Sequence, residues 1–311
     1  MCDRLESQQQ EREEQASKLA RASLARFADA PTPANLSFLF HPSYAIPPAD
    51  LRKSILTLAV QGKLVPQDLN DEPANLVVEN IKREKAWLVT EKVATKRKSI
   101  DPLVDLELPF AAPQSWQWCR LEDLVWTVGD GPHHSPRYVP KEEGVPFLST
   151  RNITAEGFRL TDIKYVSRLD HAEFYKKIKP TIGDVLYTKG GTTGIALVND
   201  LGFEFSVWVH VCVLKVAQPH VFPRYVAMAL NSPHCYDQSQ RFTHGIGNKD
   251  LGLTRMVFIT IPLPPLAEQR RIVAKVEQLM VLVVSLETQL AASRATAANL
   301  LSALVAELTA A

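Results

Sequence analysis

The sequence predicts an α+β protein in which one globular domain of short strands is flanked by long α-helices that form a coiled-coil spacer. Helix-forming stretches without Gly or Pro occupy both ends of the chain. From Pro109 onward, short apolar runs alternate with Gly and Pro, which is typical of strands and turns. Near the C-terminus, apolar residues recur at heptad spacing. We therefore expect a helical region with a Pro-rich arm (1–108), a globular domain (109–262) and a coiled-coil helix (263–311).

Composition limits the class of protein without identifying it. With 311 residues, 46% of them hydrophobic and 22% charged, the chain can bury the cores of two ordinary domains. A net charge of +1 is compatible with DNA binding, because basic residues can gather on one face of a neutral protein. The four cysteines are far apart and form no C-x-x-C pair, so neither a zinc site nor a disulfide framework is indicated. The polar start and the lack of an apolar run of ~18 residues predict a cytoplasmic protein that does not bind membranes.

The N-terminal region begins with a predicted helix over residues 3–28, which is rich in Glu, Gln, Arg and Ala. With an offset of 281 residues this stretch weakly repeats the C-terminal helix, so that Leu19 falls on Leu300. Equivalent elements at both ends suit cyclic or head-to-tail assembly. Residues 29–50 hold five prolines and predict an extended arm.

Two further helices follow the arm. Asp50 is placed to cap a short helix that ends at Gly62. A second helix is predicted from about Ala74 to Lys98, and its last residues, 92–98, form the basic run KVATKRK. Such a run is either a solvated helix end favoured by the helix dipole or a phosphate contact.

The globular domain carries four loop clusters between its predicted elements. Glycine allows close approach of the backbone to a ligand, and Arg, Lys, Asn, His and Thr can hydrogen-bond to phosphates and base edges. Any single one of these residues could instead only cap a turn or contact water. Strands are predicted at 183–187, 195–198, 207–216 and 257–261, and a helix at 223–231. The clusters are GDGPHHSPRY (129–138), STRN (149–152), TKGGTTG (188–194) and THGIGNK (243–249).

Motifs for catalysis and metal binding are absent from the sequence. The KGGTTG stretch is not a P-loop, because Lys189 precedes the glycines that it should follow. Adjacent His133 and His134 lack the i, i+4 spacing of a helical zinc pair. Neither a G-x-S-x-G nor a strand followed by G-x-G-x-x-G occurs. The [ND]-P-P-[YF] tetrapeptide of amino-methyltransferases is missing, and Tyr187 stands where a nuclease would need an acidic residue. We therefore expect a protein that is not an enzyme.

The C-terminal helix is predicted to begin near Leu266, after Pro262, Pro264 and Pro265 end the last strand. Heptad spacing counted from Val276 is sustained over four heptads, which indicates a seam that faces a partner helix. An amphipathic helix packed on its own domain is the alternative. The positions expected to face a partner are Leu279, Val283, Leu286, Leu290 and Leu300.

Two stretches, LRKSILTLAVQGKLVPQDLNDEPA (51–74) and IPLPPLAEQRRIVAKVEQLM (261–280), are similar to the conserved-region signatures of type I restriction–modification specificity subunits. PQSWQWCRLEDL (113–124), together with the loop clusters, resembles the target-recognition domain of that family. The family implies a non-catalytic DNA reader. Each target-recognition domain reads one half of a bipartite DNA sequence, while the long helices act as a spacer and bind modification subunits. This chain departs from the family in having one such domain, about half of a full subunit.

The resemblance implies double-stranded DNA and the modification (methyltransferase) subunit as partners, and it leaves the restriction subunit open as a third. S-adenosylmethionine is expected on the modification subunit, so this chain needs no cofactor of its own. Two copies paired through their terminal helices would rebuild a full subunit. The alternative is an assembly or decoy half-subunit, or a truncated remnant, that binds modification subunits without reading DNA. The residues expected on the DNA face are Arg137, Arg151, Asn152, Lys189, Thr192, Thr193, His244, Asn248 and Lys249.

Overall fold

The computed structural model describes residues 11–12, 14–15, 18–19, 22–27, 30, 32, 34–35, 46–91, 108–245 and 250–310. These residues combine helices with short strands, which confirms the predicted α+β class. They belong to two compact units: one is drawn from residues up to Leu58 and from Ala274 onward, and the other is Ala59–Val273. The second unit is wider at both ends than the predicted domain of residues 109–262. The basic run 92–98, most of the predicted helix 3–28, and Asn248 and Lys249 lie outside the described residues.

Two helices precede the strands, α1 (Pro48–Val60) and α2 (Ala74–Thr90). Helix α1 starts two residues before the predicted cap, so Asp50 lies within its first turn, because proline is well tolerated at the first helical positions. The helix ends as predicted just before Gly62, whose φ of 70° is a left-handed conformation that favours glycine.

The strands and helices of the globular domain are short. Strand β11 includes Pro262, where the sequence predicted a strand end. Trp118 pairs with this proline in a two-stranded sheet, where a residue without an N–H group is tolerated. The elements are β1 (Gln117–Arg120), β2 (Val125–Asp130), β3 (Gly144–Leu148), β4 (Ile153–Thr154), β5 (Gly157–Phe158), β6 (Lys164–Ser167), α3 (Arg168–Lys177), β7 (Val185–Thr188), β8 (Ala196–Val198), β9 (Ser206–Val207), β10 (Val211–Val216), α4 (Pro223–Leu230), α5 (Pro233–Phe242), α6 (Leu253–Met256) and β11 (Thr260–Leu263).

Two sheets of the described residues hold the globular domain together. An antiparallel sheet has the order β2-β10-β7-β8, and a smaller sheet has the order β6-β3-β9, in which β3 and β9 run parallel. Their shared core is fully apolar, so each buried aliphatic side chain contributes about 1.5–3 kcal/mol. The predicted strand 207–216 is divided into β9 and β10 by a turn, in which Val211 N donates a hydrogen bond to Trp208 O. The core consists of Leu148, Ile153, Leu186, Phe205, Val207, Val211 and Val213.

The last helix, α7 (Leu266–Ala310), begins where the sequence predicted, and its first two turns belong to the second unit. Within that unit the two signature stretches contact each other. Glu268 is fully buried and accepts hydrogen bonds from Gln67 Nε2 (2.6 Å) and Trp116 Nε1 (3.0 Å). Burial raises the pKa of the Glu268 carboxyl, and the hydrogen bonds from Trp116 and Gln67 partly offset that rise. Arg271 Nη2 pairs with Asp71 Oδ2 at 2.7 Å.

In the first unit, the heptad seam of α7 has two different environments. Leu279 and Val283 are fully buried within the chain, and Leu286 and Leu290 are half-buried. Leu279 and Val283, which were expected to face a partner helix, are covered by this chain itself. A bidentate ion pair joins Arg52 of α1 to Glu287, with Nη2 2.7 Å from Oε2. From residue 291 to residue 309 every side chain of α7 is exposed.

Candidate nucleic-acid interface

The four loop clusters, the last of them described up to Gly245, meet at one end of the four-stranded sheet. Strand β2 ends at Asp130, and its partner β10 begins one residue before the position that pairs with it. Thr188, the last residue of β7, pairs with Val211, the first of β10. The loop 188–194 therefore leaves the sheet at the same end as the loop 129–138. This convergence of the loops could not be predicted from the sequence, because it depends on the order of the strands in the sheet.

Direct contacts join the clusters around Lys189. Its ammonium lies 3.4 Å from Asp130 Oδ2 in the first cluster and 3.2 Å from Asp250 Oδ1, just after the fourth. The backbone of Gly190 pairs with that of Asp250 in an antiparallel bridge. A methyl group on Gly191 would lie 3.7 Å from the Thr150 hydroxyl, which places the second cluster beside the third.

Two glycines of these clusters pack closely against other parts of the protein. A Cβ atom on Gly131 would lie 1.7 Å from the carbonyl oxygen of Val207. A Cβ atom on Gly190 would lie 2.2 Å from Nδ1 of His210. No side chain fits at either position without displacement of its neighbour. Gly194, with φ of 106°, has a left-handed conformation that favours glycine.

A buried carboxylate balances the cations at the centre of the clusters. Asp130 is only 2% exposed, and its Oδ1 accepts a hydrogen bond of 2.6 Å from Lys177 Nζ. His133 Nε2 lies 3.3 Å from the same oxygen. Burial alone would raise the pKa of Asp130, but the hydrogen bond and charge of Lys177, with the charges of Lys189 and His133, hold that pKa below its usual value. The carboxylate is therefore charged and structural at neutral pH.

The structure divides the predicted DNA-facing residues into exposed and buried sets. Asn152 is 2% exposed; its Oδ1 accepts from Ser149 N (2.9 Å) and its Nδ2 donates to Arg159 O (3.0 Å). The amide of Asn152 is therefore hydrogen-bonded within the protein, and Asn152 is excluded from the proposed DNA face. Lys189 and Thr193 are also buried, at 2% and 7% exposure. The exposed members are Arg137, Arg151, Thr192 and His244.

Several residues beside these loops were not singled out from the sequence. Trp208 and His210 form the turn between β9 and β10, with their ring centroids 5.2 Å apart. Tyr236 is 45% exposed, and its ring lies against Gly194. Aromatic rings at such an edge can stack on bases or sugars. Trp208 and His210 fall within the strand predicted at 207–216, and Tyr236 lies beyond the helix predicted at 223–231, so no sequence pattern selected them.

Within the described parts of the chain, no group of three or more His, Cys, Asp or Glu side chains is arranged to hold a metal ion. Over the same residues, no helix is long and apolar enough to cross a membrane. The cysteines of the described residues, Cys119, Cys212 and Cys235, are all buried.

Comparison with known proteins gives a consistent result. The family described as "Type I restriction modification DNA specificity domain" matches residues 113–293. The chain is 27% identical over 264 residues to the type I restriction enzyme EcoEI specificity subunit of Escherichia coli, with 82% of this chain and 44% of the relative covered. It is 30% identical over 252 residues to the EcoAI specificity subunit of the same organism, with 77% and 40% covered. The chain thus spans less than half the length of these relatives. The HsdS subunit from Thermoanaerobacter tengcongensis aligns with a TM-score of 0.43 at 20% identity, over 78% of this chain and 52% of that one.

Proposed function

Because the chain belongs to the type I restriction–modification DNA specificity family, we propose that it reads one half of a bipartite DNA target and docks modification subunits through its helices. The observation that carries this proposal is the convergence of four loops, from distant parts of the sequence, at one end of a rigid sheet. Recognition loops on a rigid scaffold are a common arrangement in binding proteins.

The exposed residues of the loop clusters supply the groups that DNA recognition needs. Arg137 and Arg151 are suited to phosphate contacts, which set position along the duplex. Thr192 and His244 can donate and accept hydrogen bonds at base edges. These four residues lie on four different loops, so each half-site would be read by several short segments together.

The distal part of α7 supports docking of another helix. Its exposed apolar side chains form a surface of the kind that soluble monomers rarely leave uncovered. Leu279 and Val283 are buried within this chain, so the docking face begins beyond them. We propose that this face binds a modification subunit or the equivalent helix of a second copy. Its members are Leu300, Leu301, Leu304, Val305 and Leu308, at 52–79% exposure.

In this proposal the chain is the recognition part of a larger DNA-modification enzyme and does no chemistry itself. S-adenosylmethionine and the target adenine would be held by the modification subunit, which takes the base out of the helix. A restriction subunit would join the same complex as a further partner.

The test is reconstitution of the full chain with its modification subunit, followed by genome-wide mapping of methylated adenines. A palindromic interrupted motif would support two copies acting as one specificity subunit, and an asymmetric motif would support pairing with a different half. A stable complex that methylates no defined motif would contradict DNA reading and support the assembly or decoy role.

A variant pair links this test to the loop clusters. Arg151→Gln should weaken methylation of the motif, because it removes a cation from the proposed DNA face. Arg224→Gln is the matched control: Arg224 is exposed near Gly183 and Val198, at the opposite end of the four-stranded sheet. Equal loss of methylation in both variants would contradict the proposed location of the DNA face.

A further inference from the structure

We infer that Lys189 is a positioning residue that fixes the arrangement of the loops and does not contact DNA. This inference rests on the proposed function and refines it, because residue type alone suggests that a lysine in a Gly-rich loop binds phosphate.

Every hydrogen-bonding group of Lys189 is already used within the protein. Its backbone N–H donates to His210 O (2.9 Å), and its carbonyl accepts from Leu251 N (2.8 Å). Its ammonium lies 3.4 Å from Asp130 Oδ2 and 3.2 Å from Asp250 Oδ1. Its side chain is 3% exposed, so a phosphate could reach the ammonium only after the loops had separated.

The charge around Lys189 also disfavours direct binding of phosphate. Two carboxylates lie within 3.4 Å of the ammonium, and Asp130 is itself buried. Lys177 and His133 face the same carboxylate of Asp130, so the group as a whole is internally balanced. An approaching phosphate would gain little from Lys189 and would be repelled by the two acids.

The contacts of Lys189 determine where two exposed residues lie. Asp250 N donates to His244 O (3.0 Å), and His244 N donates to Asp250 O (3.2 Å), so the backbone of His244 is held through Asp250. Thr192 lies in the loop that Lys189 begins. If the ammonium is removed, Asp130 and Asp250 face each other without the cation between them. The loops that carry Thr192 and His244 should then lose their fixed separation.

Salt dependence separates a positioning lysine from a phosphate contact. Each phosphate that a lysine neutralises contributes about 0.9 to the slope of log affinity against log salt concentration. Using the complex with the modification subunit, we would measure affinity for the mapped DNA motif and for random DNA over a salt series. Lys189→Met should lower affinity for the motif by about tenfold or more and reduce the motif-to-random ratio, with an unchanged salt slope. Arg151→Gln, the phosphate-contact control, should reduce the slope by about one.

A second variant keeps the inference testable if Lys189→Met does not fold. Asp250→Asn should weaken binding to the motif if Lys189 only holds the loops, because one anchor of the ammonium is lost. The same substitution should strengthen binding if Lys189 contacts phosphate, because a competing carboxylate is removed. Lys189→Arg, which keeps the charge, should retain part of the selectivity.

The outcomes distinguish this inference from the function on which it rests. A selective wild-type complex, combined with a reduced salt slope in Lys189→Met or stronger binding by Asp250→Asn, would overturn the positioning role alone. A wild-type complex that does not prefer any motif over random DNA would overturn both.

Discussion

Replacement of Gly131 by alanine tests the close approach between the loop 129–138 and strand β9. The added methyl carbon would lie 1.7 Å from Val207 O and 2.6 Å from Val207 C, whereas ordinary van der Waals contact begins at 3.4 Å. The obstacle is backbone, so it cannot turn away as a flexible side chain would. Val207 also belongs to the core shared by the two sheets, and its strand pairs with β3.

Relief of this clash requires a backbone displacement of more than an ångström at the centre of a packed core. Overpacking of cores costs about 1–3 kcal/mol, and we expect the upper end here because a strand must move. For a domain of this size, about 3 kcal/mol corresponds to a fall in Tm of roughly 6–12 °C. Thermal unfolding of the full chain, followed by circular dichroism, measures the change.

The matched control is Gly202→Ala. Gly202 is exposed, and a Cβ atom there would meet no heavy atom within 4 Å, so the expected change in stability is within about 0.5 kcal/mol. If Gly131→Ala melted at the same temperature as Gly202→Ala, the close approach of Gly131 to β9 would be refuted, and with it the convergence of the loops at that point.

Three further predictions concern the helices and the buried charges. Leu279→Ala should destabilise the isolated chain by about 2–5 kcal/mol, because Leu279 is fully buried. Leu300→Ala should change stability by less than about 0.5 kcal/mol and should instead weaken association in sedimentation experiments, because Leu300 is exposed. Equal effects of the two variants on stability would contradict the different environments along α7. Arg271→Leu should cost about 1–3 kcal/mol in urea unfolding, since it leaves the nearly buried carboxylate of Asp71 unpaired, although partial exposure of Arg271 reduces the effect. The lowered pKa of Asp130 means that its contribution to stability is present above the unfolded value, about 3.9, and is lost as the pH falls through the folded value. Thermal melts between pH 7 and pH 3 should therefore show a shallower acid decline for Asp130→Asn than for the wild type, and an identical decline would count against that ion cluster.

The elements of the fold were largely accessible from the sequence, because they depend on local patterns. Heptad spacing and three prolines located the start of α7 at Leu266, and helix α4 lies within the helix predicted at 223–231. The same periodicity could not show which chain covers the seam. It reports only that one face of the helix is apolar, so Leu279 and Leu300 looked equivalent although one is buried and the other is 61% exposed.

Residue type was enough to select the four loop clusters, but it did not predict how they are arranged in space. All four loop clusters were identified, yet their meeting depends on strands that are distant in sequence and adjacent in the sheet. Lys189 looked like a surface residue because the carboxylates that pair with it lie outside its own loop. The carboxylate of Asp250, for example, lies 61 residues from Lys189. A charge that is neutralised by residues distant in the sequence cannot be recognised from the local sequence pattern.

Lys189 is buried, whereas the residues at the loop tips are exposed, and this difference affects which substitutions the protein can accept during evolution. Lys189 and Asp130 are buried and paired with each other, whereas Arg137, Arg151, Thr192 and His244 are exposed on four different loops. Substitution at an exposed loop tip alters folding free energy by only a few tenths of a kcal/mol, about 0.5 at most. If these four residues contact DNA as we propose, single exchanges among them can alter the base preference while the fold and the buried ion pair are retained.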